Sequence, residues 1–502
     1  MNTIPWNRRT GHVGACFFTV SLLASSLFAQ QNPALPARTP APVRPAVKRT
    51  VYVVSPANLQ AALSATLPGD DLVCEGVWTG NFTLPPGGPA ILEAGPNGCK
   101  IISPNTQPAL CNISETCGIG WRGNKPDRAI HDWWLQGLEI TTSGPQGIYD
   151  AVMIADDCDP DPTGMPARIT LDAMNIHGQT NTDSQQNGIY ADGTWISVLN
   201  SRVTDWQSSG TLLSEANGIK SVCGVGPYLM EGNYIEASSQ GIFFAAPGVS
   251  PTGVSWMQTP SDITINNNVI TRSEAWIGMN WVFKNGFECK NCERVLFENN
   301  QVTHIWPGSQ NGAGVLLTPR VGLGTPPQTF SVVQDITLLN NVLIDVGIGF
   351  GVASYDNLAC TPSMGCAHSA RIRIANNAVS TSTHPTGVNQ ATYGWCIQLD
   401  FANAVTVNGL QCSTNGYFSI FVDNAPTQNF ILENSTLSAD VGGQGVAGLA
   451  AFYSAPGQPA SAGNVVQDVT VSRISSAEFV QAWQPFCSTC VLGRGVAPAK
   501  PQ

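Results

Sequence analysis

One short phrase recurs along this 502-residue chain. Val295-Leu296-Phe297-Glu298-Asn299-Asn300-Gln301-Val302 alternates briefly, breaks at an Asn pair and resumes with a β-branched residue. The phrase returns at Ile263-Thr264-Ile265-Asn266-Asn267-Asn268-Val269-Ile270, at Ile336 to Leu343 and at Ile372 to Val379. Degenerate copies start at Ile169, Val198, Glu231, Val405, Leu432 and Val469. Asn tolerates the left-handed backbone of a sharp bend, and its amide can bond to an identical amide stacked above it. Copies lie roughly 25 to 41 residues apart, a period that marks a repeat architecture in which each copy is one coil. After most bends a second strand opens on glycine, as in Gly188-Ile189-Tyr190, Gly241-Ile242-Phe243-Phe244, Gly312 to Leu317 and Gly416 to Phe421. About three short strands per coil, with Asn at one corner, specify an all-β, right-handed, single-stranded parallel β-helix. The L-x-x-L-x-L spacing of leucine-rich repeats and the Trp-Asp mark of propellers are both missing.

Taken in order, the chain divides simply. Arg8 and Arg9 precede an apolar run from Val13 to Phe28, and Ala29 stands at a cleavage position, so residues 1–29 read as a secretory signal peptide. Residues 30–50, QQNPALPARTPAPVRPAVKRT, read as a semi-extended Pro/Ala-rich linker. The β-helix domain is expected over residues 51–492 and a tail over residues 493–502. At its start, Ser55-Pro56 supplies a cap, and Leu59, Ala62 and Leu63 recur at helical spacing before Pro68-Gly69-Asp70 stops the helix. Such a helix would cover the open end of the first coil, with Asp71 to Glu75 starting the winding. SAEFVQAWQPFCSTC, residues 476–490, would close the other end.

Composition agrees with export. The 34 acidic residues outnumber the 23 basic ones, which argues against nucleic acid or an anionic membrane as partner. Of the 15 cysteines, only Cys16 leaves with the signal peptide, and an even number remains for disulfides. Close pairs are Cys111 with Cys117, Cys289 with Cys292, Cys360 with Cys366 and Cys487 with Cys490; Cys74 with Cys99 and Cys396 with Cys412 could bridge adjacent coils. A zinc site built from the two C-x-x-C pairs is disfavoured, because sequence distance is axial distance in a stack. The expectation is a monomer, secreted to the extracellular space or periplasm, with no membrane association after signal cleavage.

Pro68-Gly69-Asp70, Thr79-Gly80-Asn81-Phe82-Thr83-Leu84 and the Asn-cornered coils resemble the pectate-lyase-like superfamily. Ile176-His177-Gly178, the run from Trp281 to Arg294 and Ser331-Val332-Val333-Gln334-Asp335-Ile336-Thr337 resemble secreted bacterial β-helix proteins without assigned activity. That resemblance implies the pectin-lyase fold and leaves the reaction open.

Strand parity selects a candidate site. From Val282 to Lys290, Phe283, Phe287 and Cys289 fall on one face, and Lys284, Glu288 and Lys290 on the other. In the next coil Val315 and Leu317 face inward, leaving Leu316, Thr318 and Arg320 outside. Stacking Phe287 under Leu317 would bring Lys290 under Arg320 at about 4.8 Å, a juxtaposition costing roughly 3 kcal/mol unless an anion compensates. A cation so crowded gives up its proton more readily, as a general base must.

This arrangement is similar to the chondroitinase B and alginate lyase family, where a Lys and an Arg on successive coils carry β-elimination of a uronate. The resemblance implies Lys290 as base, Arg320 as acid or charge stabiliser and Glu288 as a calcium ligand. Arg320 is followed by Val321-Gly322 where that family has His-Gly. Lys284, Trp281 and Trp306 would contact substrate, the indoles by stacking on sugar rings; Trp276 flanks the same region. Asp156, Asp157, Asp159 and Asp161 crowd a loop that could hold calcium or be merely exposed. Asn181-Thr182-Asp183 resembles the first polygalacturonase motif, although the later motifs do not follow in order. No Gly-x-Ser-x-Gly or phosphate-cradling loop is present. The chain is therefore expected to act on extracellular polysaccharide, as a lyase on an acidic glycan. Non-catalytic glycan binding at a cell surface and polygalacturonase-like hydrolysis are the alternatives.

Overall fold

From Trp133 onward most described turns of the chain lay down three strands, and nearly all strands pair in parallel with their counterparts one turn later. The structure, a computed structural model, describes the chain between residues 33 and 472 apart from residues 37–39, 56–57, 112–129, 145–146, 156–164, 181, 184, 212–214, 246–258, 321–330, 354–368, 382–393, 415, 424–426, 440, 444–445 and 448–463. A first face runs from Arg49–Val54 through Cys292–Glu298 to Val465–Gln467. A second includes Glu139–Thr142, Gln301–Ile305 and Thr470–Val471, and a third runs from Phe82–Thr83 through Phe287–Cys289 to Val441–Gly443. The first two faces form one 25-stranded sheet, because Asp70–Thr79 and Ala90–Ser103 run through the bend between them; the third face forms a 13-stranded sheet. This is a parallel β-helix, right-handed as parallel crossovers are. Among the described pairings, only Val441–Gly443 with Val446–Ala447 is antiparallel.

The interior follows from period-two alternation. Ile263, Val295, Ile336 and Ile372 stack in register, as do Ile265, Phe297, Leu338 and Ile374, and none is exposed to solvent. Each coil thus buries its apolar side chains on its neighbours.

At the corner between the first and second faces, the two Asn of each pair divide the work. Asn267, Asn299, Asn340 and Asn376 hold φ between 52° and 55°, making the turn itself. The partners Asn268, Asn300, Asn341 and Asn377 point inward and form a ladder, Nδ2 to Oδ1, at 3.0, 3.2 and 2.9 Å, with Asn233 joining below at 2.9 Å. Each Oδ1 also accepts the backbone N–H of the Asn one coil earlier, and each Nδ2 donates to a strand carbonyl, so the buried amides are satisfied. Beyond the ladder, Ser201 and Ser435 hold the equivalent positions and cap their neighbours' N–H groups.

The glycines opening the third face have a steric cause. A Cβ on Gly218, Gly241, Gly286 or Gly314 would come within 2.4 to 2.9 Å of Ile235, Ile270, Val302 or Leu343. Only a bare backbone lets the third face close on the second.

The first coil departs from expectation. Winding begins one strand early, since Arg49–Val54 already pairs with Asp70 to Glu75. The helix is short, Leu59–Ser64, and is capped by Asn58, which accepts the Ala61 N–H at 3.0 Å; Ser55 instead donates to Val77. Leu59 and Leu63 are buried, plugging the core. The segment expected to be a semi-extended linker is laid against the body. Ala34 donates its N–H to Asp335 at 3.0 Å, Pro36 is buried and Arg44 pairs with Glu93, so its described parts lie along the outer side of the first face.

Three expected disulfides form: Cys74–Cys99, Cys289–Cys292 and Cys396–Cys412. The remaining pairs each include a cysteine outside the described residues, as do the signal peptide and the closing cap in full. Among the described residues no helix is long and apolar enough to cross a membrane.

Candidate functional site

Several polar residues on the outer side of the third face are buried, among them Asp150, Asn187, Asn217, Gln240, Glu288 and Lys290. One row places Asp150, Asn187, Asn217 and Gln240 in register on successive coils. Asn187 donates to Asp150 at 2.7 Å and Asn217 to Asn187 at 2.8 Å. Burial pushes the Asp150 carboxyl up to about 6, against the Asn187 hydrogen bond and the Lys220 charge that pull it down.

The row leads to Glu288, which has no solvent exposure although its strand neighbours Phe287 and Cys289, not Glu288, belong to the core. Its Oε2 accepts from Gln240 at 2.9 Å and from Asn285 at 2.8 Å. Its Oε1 lies 3.2 Å from the Lys290 ammonium, which also sits 4.7 Å from the centre of the Phe243 ring. Parity therefore places Glu288 and Lys290 as expected, but as a buried ion pair. Lys284 closes on Glu215. Burial alone would raise the Glu215 carboxyl, yet Lys284, with Lys220 and Lys290 behind it, holds it below the usual range.

A cleft of about 310 Å³ opens beside this pair. Glu288 and Asn285 line one end, Arg320 and Thr318 follow, then Gly351 and Ala353, and Gln398 and Asp400 line the other end. Leu316, Ile348 and Ala313 supply apolar floor, and Ser309, Gln310 and Asn311 form a wall. The wall is tied down from below. Asn285 donates its Nδ2 to the Gln310 Oε1 at 2.7 Å, and the fully buried Arg272 donates to the Trp306 carbonyl at 2.8 Å.

The expected stacking needs a correction. Phe287 pairs with Val315 and Cys289 with Leu317, two residues from the expected register. Lys290 and Arg320 are still neighbours through the backbone, the Arg320 N–H donating to the Lys290 carbonyl at 3.1 Å. Their side chains part company: Arg320 lines the cleft, whereas the Lys290 head turns to Glu288 and Phe243. Trp306 and Trp276 are also corrected, because both are buried and the Trp306 Nε1 donates to Asp345 at 2.6 Å, leaving no ring face for a sugar. Trp281 is half-buried and is not among the described cleft residues.

Calcium does not fit Glu288. Two amide N–H groups and an ammonium surround its oxygens, and a cation gains nothing from such neighbours. Asp156, Asp157, Asp159 and Asp161 lie outside the described residues, and among the described ones no cluster of three metal-ligating side chains occurs. Asp183 accepts the Ser209 N–H at 2.7 Å, joining two loops.

The cleft also contains residues that the sequence reading passed over. Gln398 and Asp400 alternate with the buried Ile397 and Leu399, so the parity argument that selected Glu288 would have found them. The loop residues Ser309, Gln310 and Asn311 carried no periodic mark.

A second, larger groove of about 930 Å³ follows the outer side of the second face, where His177 lies. Lys100 and His177 both approach Glu139 Oε1, at 2.7 and 3.1 Å, so these charges close on one another. Nearby, burial and the Asp205 charge push the Glu236 carboxyl up to about 7.

No family model matches the chain, and no curated protein matches it in sequence. Solved structures do share its winding. A mannuronic acid specific polysaccharide family 6 lyase from human gut microbiota is 12% identical with a TM-score of 0.44, covering 85% of this chain and 82% of its own. A surface adhesin of Streptococcus pneumoniae is 11% identical with a TM-score of 0.43, covering 82% and 86%. A polygalacturonase from Erwinia carotovora is 11% identical with a TM-score of 0.37, covering 87% of this chain and all of its own. Identities and scores this low speak to neither activity nor substrate, and the fold stands on the strand pairings themselves.

Proposed function

We propose that the protein acts on an acidic extracellular polysaccharide held in the third-face cleft, cleaving it by β-elimination. The observation that carries this reading is the cleft itself: an apolar floor, a rim of amides and hydroxyls, and Arg320 as the one cation among the described lining residues. An apolar patch ringed by convergent hydrogen-bonding groups suits a sugar ring, and a lining guanidinium suits its carboxylate. In such a reaction Arg320 neutralises the charge growing on the carboxylate as the neighbouring C–H proton is removed. The Glu288–Lys290 pair stands at that end of the cleft and is the proton acceptor in this proposal. Lys290 serves as a base only after passing its own proton to Glu288.

A second reading has an observation in its favour. Because the Lys290 ammonium faces Glu288 and Phe243 rather than the cleft, the same surface would suit a glycan-binding protein without chemistry. Both readings place the protein outside the cytoplasm, consistent with its disulfides.

The test is incubation of the purified protein with a panel of uronate polymers. Ultraviolet absorbance of the unsaturated product is followed for the native chain, Arg320→Gln and Lys290→Met. Product that disappears in both variants supports elimination at this site; product that survives in both removes it. Retention on immobilised polymer without product supports the second reading. Neither binding nor product with any acidic glycan eliminates both.

A further inference from the structure

We propose that the groove on the outer side of the second face is a separate binding site for an oligosaccharide bearing a carboxylate, anchored by Arg202 and independent of the third-face cleft. Its floor follows a single register. Val77, Lys100, Glu139, Asn175 and Arg202 stand on five successive coils, roughly 19 Å from end to end at the parallel-strand spacing. A trough of that length along the axis suits an elongated ligand.

Two irregularities wall the trough. At one end the strand Ala90–Ser103 loops out through residues 95–98, and the Cys74–Cys99 disulfide clamps the base of that excursion. At the other, an extra residue in Arg202–Trp206 gives Asp205 a φ of 60° and sets it in the lining. Bulges of this kind re-aim side chains beside binding sites. Gly178, which ends the Ile-His-Gly motif, makes room for the second one, because a Cβ there would collide with the Asp205 carbonyl oxygen.

The polar groups along the floor fall into two sets. Lys100, His177 and Glu139 satisfy one another, and His177 Nδ1 also lies 2.9 Å from the Gly178 carbonyl oxygen. Asn175, Arg202 and Thr204 do not: among the described residues none of these three side chains makes a hydrogen bond or an ion pair. They are adjacent, Asn175 being in register with Arg202, and His177 with Thr204. The Arg202 guanidinium lies 4.6 Å from the centre of the Tyr234 ring, with Nη1 buried and without a partner. Glu236, on the next coil, feels its charge but is not bonded to it. The cation is thus held in place by a ring and not by an acceptor.

That grouping defines a ligand. A guanidinium accepts a carboxylate, while a neighbouring amide, hydroxyl and carboxylate take up sugar hydroxyls. A peptide would find no open strand edge, since these strands are paired on both sides, and little apolar lining beyond Val77 and Ala94. A nucleic acid would meet Glu139 and Asp205 in the same trough.

Calorimetry tests the site, with tetrasaccharides of polygalacturonate, alginate and hyaluronan as probes and circular dichroism to confirm folding. Arg320→Gln removes the cation of the cleft and isolates the groove. This variant is expected to bind at least one probe at a single site per chain, more weakly as salt is raised. Adding Arg202→Gln should weaken that binding at least about tenfold, and Arg202→Lys less, because Lys restores the charge without the fork. Asn175→Ala should weaken it about threefold. The proposal is overturned if the Arg320→Gln chain binds no probe, if Arg202→Gln leaves binding unmoved, or if hexaglutamate binds as tightly as the sugars. Because the cleft is disarmed throughout, each of these failures leaves the cleavage reading standing, and loss of cleavage leaves this site standing.

Discussion

The corner between the first and second faces and the outer side of the third are built from the same coils, yet they obey opposite rules. At the corner Asn233, Asn268, Asn300, Asn341 and Asn377 repeat one residue and one hydrogen-bond pattern. On the third face the outward row changes at every coil, from Lys220 to Phe243, Glu288, Leu316, Gly351 and Gln398. A solenoid must repeat whatever seats one coil on the next. Where the neighbour makes no such demand, the residue is free to vary, and there a site can be assembled without disturbing the stack.

This contrast can be tested first where the effect should be largest. Asn300→Ala removes a side chain that donates to Ile265 and Asn341 and accepts from Asn268, leaving buried groups unsatisfied on both neighbouring coils. Urea unfolding should show a loss of about 3–5 kcal/mol with the cleft still able to bind where the fold persists. A loss below about 1 kcal/mol would mean that the ladder is dispensable.

Next comes the buried pair on the variable side. Glu288→Gln strands the Lys290 ammonium and should cost about 3 kcal/mol, whereas Glu288→Gln with Lys290→Met should recover much of it. Additive losses in that double-mutant cycle would deny that the two groups act as a unit.

Titration offers a comparable effect. The Asp150 and Glu236 carboxyls are raised by burial to about 6 and about 7, above their ordinary values. A raised carboxyl binds its proton more tightly in the folded state, so its contribution is complete below the ordinary carboxylate value and fades as pH climbs through 6 to 7. Stability should therefore be higher at pH 5 than at pH 8, by roughly 1 kcal/mol from Asp150 and by up to roughly 3 kcal/mol from Glu236. Glu236→Gln should flatten that slope, and an unchanged slope would dismiss Glu236 as its source.

The smallest effect is expected at the surface. Arg44→Ala breaks a pair with Glu93 whose side chains are 42% and 24% exposed, and the unfolding free energy measured in urea should fall by less than about 1 kcal/mol.

The same contrast explains what could be read from the chain. The Asn pairs disclosed the coil and its corner because every coil needs them, although a sequence does not say that one Asn bends while the other bonds. Parity correctly separated Glu288 from Phe287 and Cys289. Register slipped because the strands were aligned on Leu317; aligned on Gly286 and Gly314, which share one steric cause, Phe287 falls on Val315 as observed. The turn of the Lys290 head towards Phe243 had no such marker, because Phe243 belongs to the preceding coil and only three-dimensional stacking brings it near. The wall residues Ser309 to Asn311 were silent for the same reason.

The N-terminal strap has a consequence for the order of events. Ala34 and Asp335 are 301 residues apart in the chain, while most strand pairings join residues only one coil apart. A contact of such long range carries a closure cost that local winding does not. The earliest part of the described chain therefore reaches its final berth only after the strand bearing Asp335 has wound into place, making its docking a natural reporter of when that stretch is finished.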